Sequence, residues 1–157
     1  MTADTWVTYG SPGSAAGSFQ STRTVPSPLA VVVDDLRGAI EKAGFWVLHQ
    51  IDPQALLRRD GYVIDGARQI LFFHPRFVTR ILSADPSAIL EAPLKIALME
   101  TSPEQTVVRW LDPAQALGRY ENDALSELGR ELSVHCEAIV QDALAGTKTR
   151  EISVTSA

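Results

Sequence analysis

Gln69-Ile70-Leu71-Phe72-Phe73-His74-Pro75-Arg76-Phe77-Val78-Thr79-Arg80-Ile81-Leu82 decides how the chain is read. Four apolar residues, Ile70 to Phe73, run into a histidine. Proline then occupies the place where a helix begins, because its missing N–H costs nothing in a first turn. After it the apolar period changes from 2 to 3.6, with Phe77, Val78, Ile81 and Leu82 on one side. Arg76, Thr79, Arg80 and Ser83 share the other. A covered strand handing over to an amphipathic helix, with His74 at the N-cap, is the expected structure.

Working outward, the N-terminal side supplies a strand over 18–25, then Ser27 as N-cap and Pro28 as first helical residue. Leu29, Val32, Val33, Leu36, Ile40 and Ala43 follow at helical spacing, and Gly44 ends that helix. A strand over 45–51 leads to Asp52-Pro53, which caps a short helix over 54–59. On the C-terminal side, 94–100 and 105–111 read as antiparallel strands. Asp112-Pro113 starts a further turn. A long helix over 122–144 places Leu125, Leu128, Leu132, Cys136, Ile139 and Ala143 on one face, with Gly146 as its stop. Residues 1–17, rich in Ser, Thr, Gly and Ala, read as a flexible tail; Trp6, Val7 and Tyr9 could instead pack as a short strand. The single domain spans 18–145, and 146–157 reads as a polar tail with a weak strand signal at 151–154.

Composition narrows the function classes. The chain has 157 residues, 45% of them hydrophobic and 21% charged, which suits one folded domain with a real core. Its formal charge of −5 argues against nucleic acid or an anionic membrane as partner for the whole surface. No apolar run approaches the roughly 18 residues of a membrane helix, and no basic-then-apolar leader opens the chain, so a cytoplasmic location is expected. One cysteine, Cys136, excludes an internal disulfide and a cysteine-rich zinc site. No hydrolase elbow, phosphate loop, dinucleotide fingerprint or paired-histidine zinc motif occurs.

The strand and helix order, together with a series of short motifs, resembles the domain of unknown function 302 family. The matching residues are Ala43-Gly44-Phe45, Gln50-Ile51-Asp52, Ile70-Leu71-Phe72-Phe73-His74-Pro75, Leu82-Ser83-Ala84-Asp85-Pro86, Glu91-Ala92-Pro93-Leu94-Lys95 and Leu111-Asp112-Pro113. The resemblance implies an α+β fold like that of the TATA-binding protein, with a curved antiparallel sheet and two long helices on one face. It also implies a homodimer, and no settled activity. His74 stands where the resemblance suggests Asn or another small polar residue, so a site built on it would belong to a subgroup.

His74 has two readings. It can cap the helix through a ring nitrogen, with Arg76 and Arg80 solvated or paired with Asp85 or Glu91. Alternatively His74, Arg76 and Arg80 form an anion site, since two arginines near a helix N-terminus oppose its dipole unless something negative neutralises them. His49 lies mid-strand on the face of Phe45, Val47 and Ile51. If the two strands are neighbours it could approach His74, as a metal or haem pair. Trp46 and Trp110 are core residues or pocket walls. Cys136 belongs to the apolar stripe, and His135 pairs with Glu131 at the surface.

The function expected is therefore binding of a small, partly apolar ligand with an anionic group. The alternatives are an enzyme using His74 as general acid or base with Arg76 as carboxylate anchor, and a haem or metal protein using His74 or His49.

Overall fold

The computed structural model describes residues 3–155, with side chains described for residues 3–147. Its elements, in chain order, are β1 (Thr5–Trp6), a 3-10 turn (Ser14–Ser18), β2 (Gln20–Val25), α1 (Leu29–Lys42), β3 (Trp46–Ile51), α2 (Pro53–Arg58), β4 (Tyr62–Val63) and β5 (Ala67–Phe73). They continue with α3 (Pro75–Ala84), a 3-10 turn (Pro86–Glu91), β6 (Leu94–Ser102), β7 (Gln105–Leu111), α4 (Pro113–Gly118) and α5 (Asp123–Thr155). The fold is α+β: five strands in the order β2-β7-β6-β5-β3, every neighbouring pair antiparallel, form an open sheet.

Alternation along the strands sorts the two faces. Ile70, Phe72, Ile96, Leu98, Val108 and Trp110 are buried beneath the helices. There they meet Val32, Val33, Leu36 and Ile40 of α1 and Leu125, Leu128, Leu132 and Ile139 of α5. Alpha1 lies against the strands, and α5 packs on α1, α3 and α4. Gly129 makes the last contact possible, because a Cβ there would sit 2.9 Å from the Pro113 carbonyl oxygen. The opposite face carries Trp46, Leu71, Phe73, Lys95, Arg109 and Leu111, none of them buried. Trp46, read as a core residue or pocket wall, is 57% exposed here.

Four local expectations are corrected. Pro28 rather than Ser27 is the N-cap of α1; its carbonyl accepts from Val31 and Val32, while the Ser27 carbonyl accepts from the Thr106 hydroxyl. Leu82 is 46% exposed, so the inward face of α3 narrows to Phe77 and Ile81, with Val78 half-buried. Gly146 does not stop α5, and 151–154 are helical. A helical glycine costs only about 1 kcal/mol relative to alanine, and packing of Ala143 and Thr147 on either side holds the helix, with Thr147 donating to Asp35 at 3.3 Å. Near the N-terminus, Thr5–Trp6 pairs parallel to Tyr62–Val63, the short-strand alternative for that segment.

Candidate functional site

The junction between β5 and α3 is built as its sequence demands. Phe72 is fully buried, Phe73 turns to the open face, and His74 leaves the strand with extended backbone. Its Nδ1 accepts the Arg76 N–H at 3.1 Å, so an imidazole does the work usually given to Asn or Asp. That bond assigns the tautomer: with its Nδ1 lone pair engaged, the neutral ring carries its proton on Nε2. Among the described residues nothing accepts from Nε2. It faces Gly44, whose left-handed φ of 87° ends α1 and whose missing Cβ leaves room, since a methyl there would lie 3.8 Å from Nε2.

Around this ring lies an aromatic cluster. Phe45 and Phe77 stack with centroids 5.7 Å apart. His74 approaches them at 5.5 and 5.2 Å, and His135 at 5.7 and 5.3 Å. Below the cluster is a cavity of about 180 Å³ between the covered sheet face, α3, the 86–91 turn, α4 and α5. Phe72, Phe77, Trp110, Leu117, Leu132 and Cys136 make its apolar walls, and its polar borders are His74 and Glu91; Lys95 also lines it, from a strand position whose side chain belongs to the open face. Glu91 is held tightly: Arg119 donates to its Oε1 at 2.8 Å and the Tyr120 hydroxyl at 2.9 Å. That hydrogen bond pushes the Tyr120 phenol above its usual value, burial adding to it and Arg119 opposing. Burial, reinforced by the Asp112 and Glu137 charges, pushes the Cys136 thiol up to about 12, so this cysteine is a wall and not a nucleophile.

The expected site residues divide. His74 and Trp110 border the same cavity. Arg23 covers the other side of Trp110, its guanidinium 5.6 Å from the ring and paired with Glu137 at 2.8 Å. Arg76 and Arg80 do not border the cavity. Their guanidinium groups lie over Phe77 at 4.9 and 5.8 Å and turn to Glu131 on α5, at 3.9 and 2.6 Å, rather than to Asp85 or Glu91. The Arg80 hydrogen bond, with the charges of Arg80, Arg76 and His135, holds the Glu131 carboxyl below its ordinary range against a smaller effect of burial. Two arginines thus share one carboxylate, which leaves this end of the molecule locally positive.

His49 does not join His74, although β3 and β5 are indeed neighbours. A bulge at Leu48 breaks the alternation: Val47 pairs with Phe72 on the covered face, and His49 pairs with Leu71 on the open one. Among the described residues, no three His, Cys, Asp or Glu side chains gather in a way that could hold a metal ion. Ligation through His74 Nε2 would also require its proton to move to Nδ1, breaking the cap.

The family's profile matches residues 21–143 under the description "Domain of unknown function DUF302". The chain belongs to the DUF302 family. Among solved structures, an uncharacterized conserved DUF302 protein from Bacillus stearothermophilus is similar with a TM-score of 0.74. The two are 18% identical, over 80% of this chain and 98% of that one, which supports the shared fold. Among curated proteins none matches. For this DUF302 chain, Glu91 was offered by the sequence only as a partner for Arg76 or Arg80; the fold brings Arg119 and Tyr120 onto it instead. No helix among the described residues is long and apolar enough to cross a membrane.

Proposed function

We propose that this domain binds a small acid whose apolar body enters the cavity and whose carboxylate stays at the border with His74. The observation that carries it is a hydrogen-bond donor, the His74 Nε2–H, kept by its own cap on one tautomer beside an apolar hollow. An apolar hollow of about 150 Å³ stays dry and accepts benzene; at about 180 Å³ this one suits a single ring or a branched chain of similar size. The locally positive surface over Phe77 adds long-range attraction.

The same tautomer bears on catalysis and on haem or metal binding. Nε2–H can donate but has no lone pair to take a proton or to ligate iron, so the binding reading needs the fewest rearrangements. Titration calorimetry with 3-phenylpropanoate tests it. The expected result is one site with a Kd on the order of 0.1–1 mM, about 0.4–0.5 kcal/mol per non-hydrogen atom. His74→Asp keeps a capping acceptor but removes the donor and adds a negative charge, and weakens binding about tenfold or more. Absence of saturable binding to the wild-type protein, or full affinity in His74→Asp, contradicts the proposal.

A further inference from the structure

Glu91 is an unexpected neighbour for an anion-binding cavity. Its side chain is only 16% exposed, and both of its donors, Arg119 and the Tyr120 hydroxyl, go to the same oxygen, Oε1. Oε2 has no hydrogen-bond partner among the described residues, yet it is not sealed away, since no described buried side-chain oxygen is left unpaired. A carboxylate clamped by one oxygen presents the other as a fixed acceptor. It cannot swing away to solvent, because Arg119 and Tyr120 hold it in place. The cavity border therefore carries both kinds of partner: His74, with its Nε2–H, for an acceptor, and Glu91, with Oε2, for a donor.

We infer that the ligand is an α-amino acid, or a close amino-acid derivative, with an apolar side chain. Its side chain fills the hollow between Phe77, Trp110 and Leu132, its carboxylate meets His74, and its ammonium meets Glu91 Oε2. This rests on the acid-binding reading above and adds the ammonium subsite. An ammonium is favoured over a hydroxyl because charge-assisted hydrogen bonds to a carboxylate are roughly twice as strong as neutral ones. Volume selects within the class: the hollow suits the side chains of leucine or phenylalanine, and charged or very short side chains gain nothing from its walls.

The test compares L-phenylalanine, 3-phenylpropanoate and 3-phenyllactate by calorimetry at pH 7, on the wild-type protein and on Glu91→Gln. Glutamine retains a carbonyl oxygen for Arg119 and Tyr120 but places an amide where the free carboxylate oxygen stood. The wild-type protein is expected to bind L-phenylalanine about tenfold tighter than 3-phenylpropanoate, with 3-phenyllactate between them. Glu91→Gln is expected to erase that order while leaving 3-phenylpropanoate affinity within about twofold. Equal affinity of the wild-type protein for the amino acid and the plain acid overturns the ammonium subsite and leaves acid binding standing. A preference that survives in Glu91→Gln also overturns the assignment to Glu91. The comparison on the wild-type protein alone decides the ligand class even where the variant does not fold. Binding of none of the three overturns both readings.

Discussion

Two hollows flank the covered face of the sheet, and they differ in what their polar groups are doing. The larger, about 450 Å³, opens where α1 begins and is bordered by Leu29, Val33, Gln50, Gln54, Arg68 and Glu100. Apart from the exposed Asp34, every polar side chain bordering it is already engaged. Arg68 pairs with Asp52 at 2.9 Å, Glu100 accepts the Gly66 N–H at 3.2 Å, Gln54 donates to the Ile64 carbonyl at 3.1 Å, and Gln50 accepts from Arg37 at 3.1 Å. The smaller hollow, at the start of α3, is apolar inside and bordered by His74 and Glu91, whose Nε2 and Oε2 have no hydrogen-bond partner among the described residues. Groups that satisfy one another hold a fold together. Groups held in place with one valence left over can hold something else.

Substitutions in the walls separate the two most strongly. Phe77→Ala removes a buried ring that stacks on Phe45, and is expected to cost about 3–5 kcal/mol in chemical denaturation. Gln54→Ala, in the polar hollow, loses one hydrogen bond and costs about 1 kcal/mol. Equal costs would mean that the aromatic cluster is not a structural centre.

Blocking each hollow gives the next largest contrast. Ala116 borders the small cavity, and Ala30 the large one. Ala116→Phe should weaken 3-phenylpropanoate binding about thirtyfold, equivalent to losing roughly 2 kcal/mol of apolar burial. Ala30→Phe should leave it unchanged. The reverse pattern in calorimetry would move the site to the other hollow.

His74 lets cap and donor be told apart. His74→Ala removes the acceptor for the Arg76 N–H and is expected to destabilise the protein by about 1 kcal/mol. His74→Asp should stay within about 0.5 kcal/mol of the wild type, because aspartate caps well. If both variants melt alike, the ring nitrogen is not acting as the cap.

The smallest effect belongs to the arginines. Glu131 is half-exposed, so Arg76→Gln should change stability by less than about 0.5 kcal/mol. Its depressed carboxyl sets the sign with pH. The stabilisation is fully present above the ordinary glutamate value of about 4.3 and is lost as pH falls through the lower folded value. Melting curves of the wild type and Glu131→Gln should therefore converge on acidification. A gap that widens in acid would contradict the pairing.

Much of this architecture was readable from local chemistry. The change of apolar period across His74-Pro75 marked the strand-to-helix junction. The Asp-Pro pairs at 52–53 and 112–113 marked two caps, and both aspartates do cap, accepting from the Ala55 and Ala114 N–H groups. Readings failed where tertiary structure overrode local preference. Nothing around Leu48 resembles a bulge signal, because no glycine or proline announces it, yet it carries His49 to the other face. Gly146 looked like a terminator, but packing beside Asp35 keeps the helix going. Arg76 and Arg80 were read as holding an anion, as solvated, or as paired with Asp85 or Glu91. Their partner is Glu131, about fifty residues away and invisible to helix-local reasoning. Glu91 was legible as part of a family motif and as a partner offered to Arg76 or Arg80, but its actual donors, Arg119 and Tyr120, come together only in the fold.

The central claim, that the aromatic-walled hollow beside His74 and not the larger polar one receives an apolar acid, is tested most directly by amide chemical-shift mapping during titration with 3-phenylpropanoate. The account predicts saturable shifts at Arg76, Phe77, Leu132 and Cys136, with Val33, Arg68 and Glu100 unmoved. Shifts concentrated around Val33, Arg68 and Glu100, or none at any residue, would contradict it.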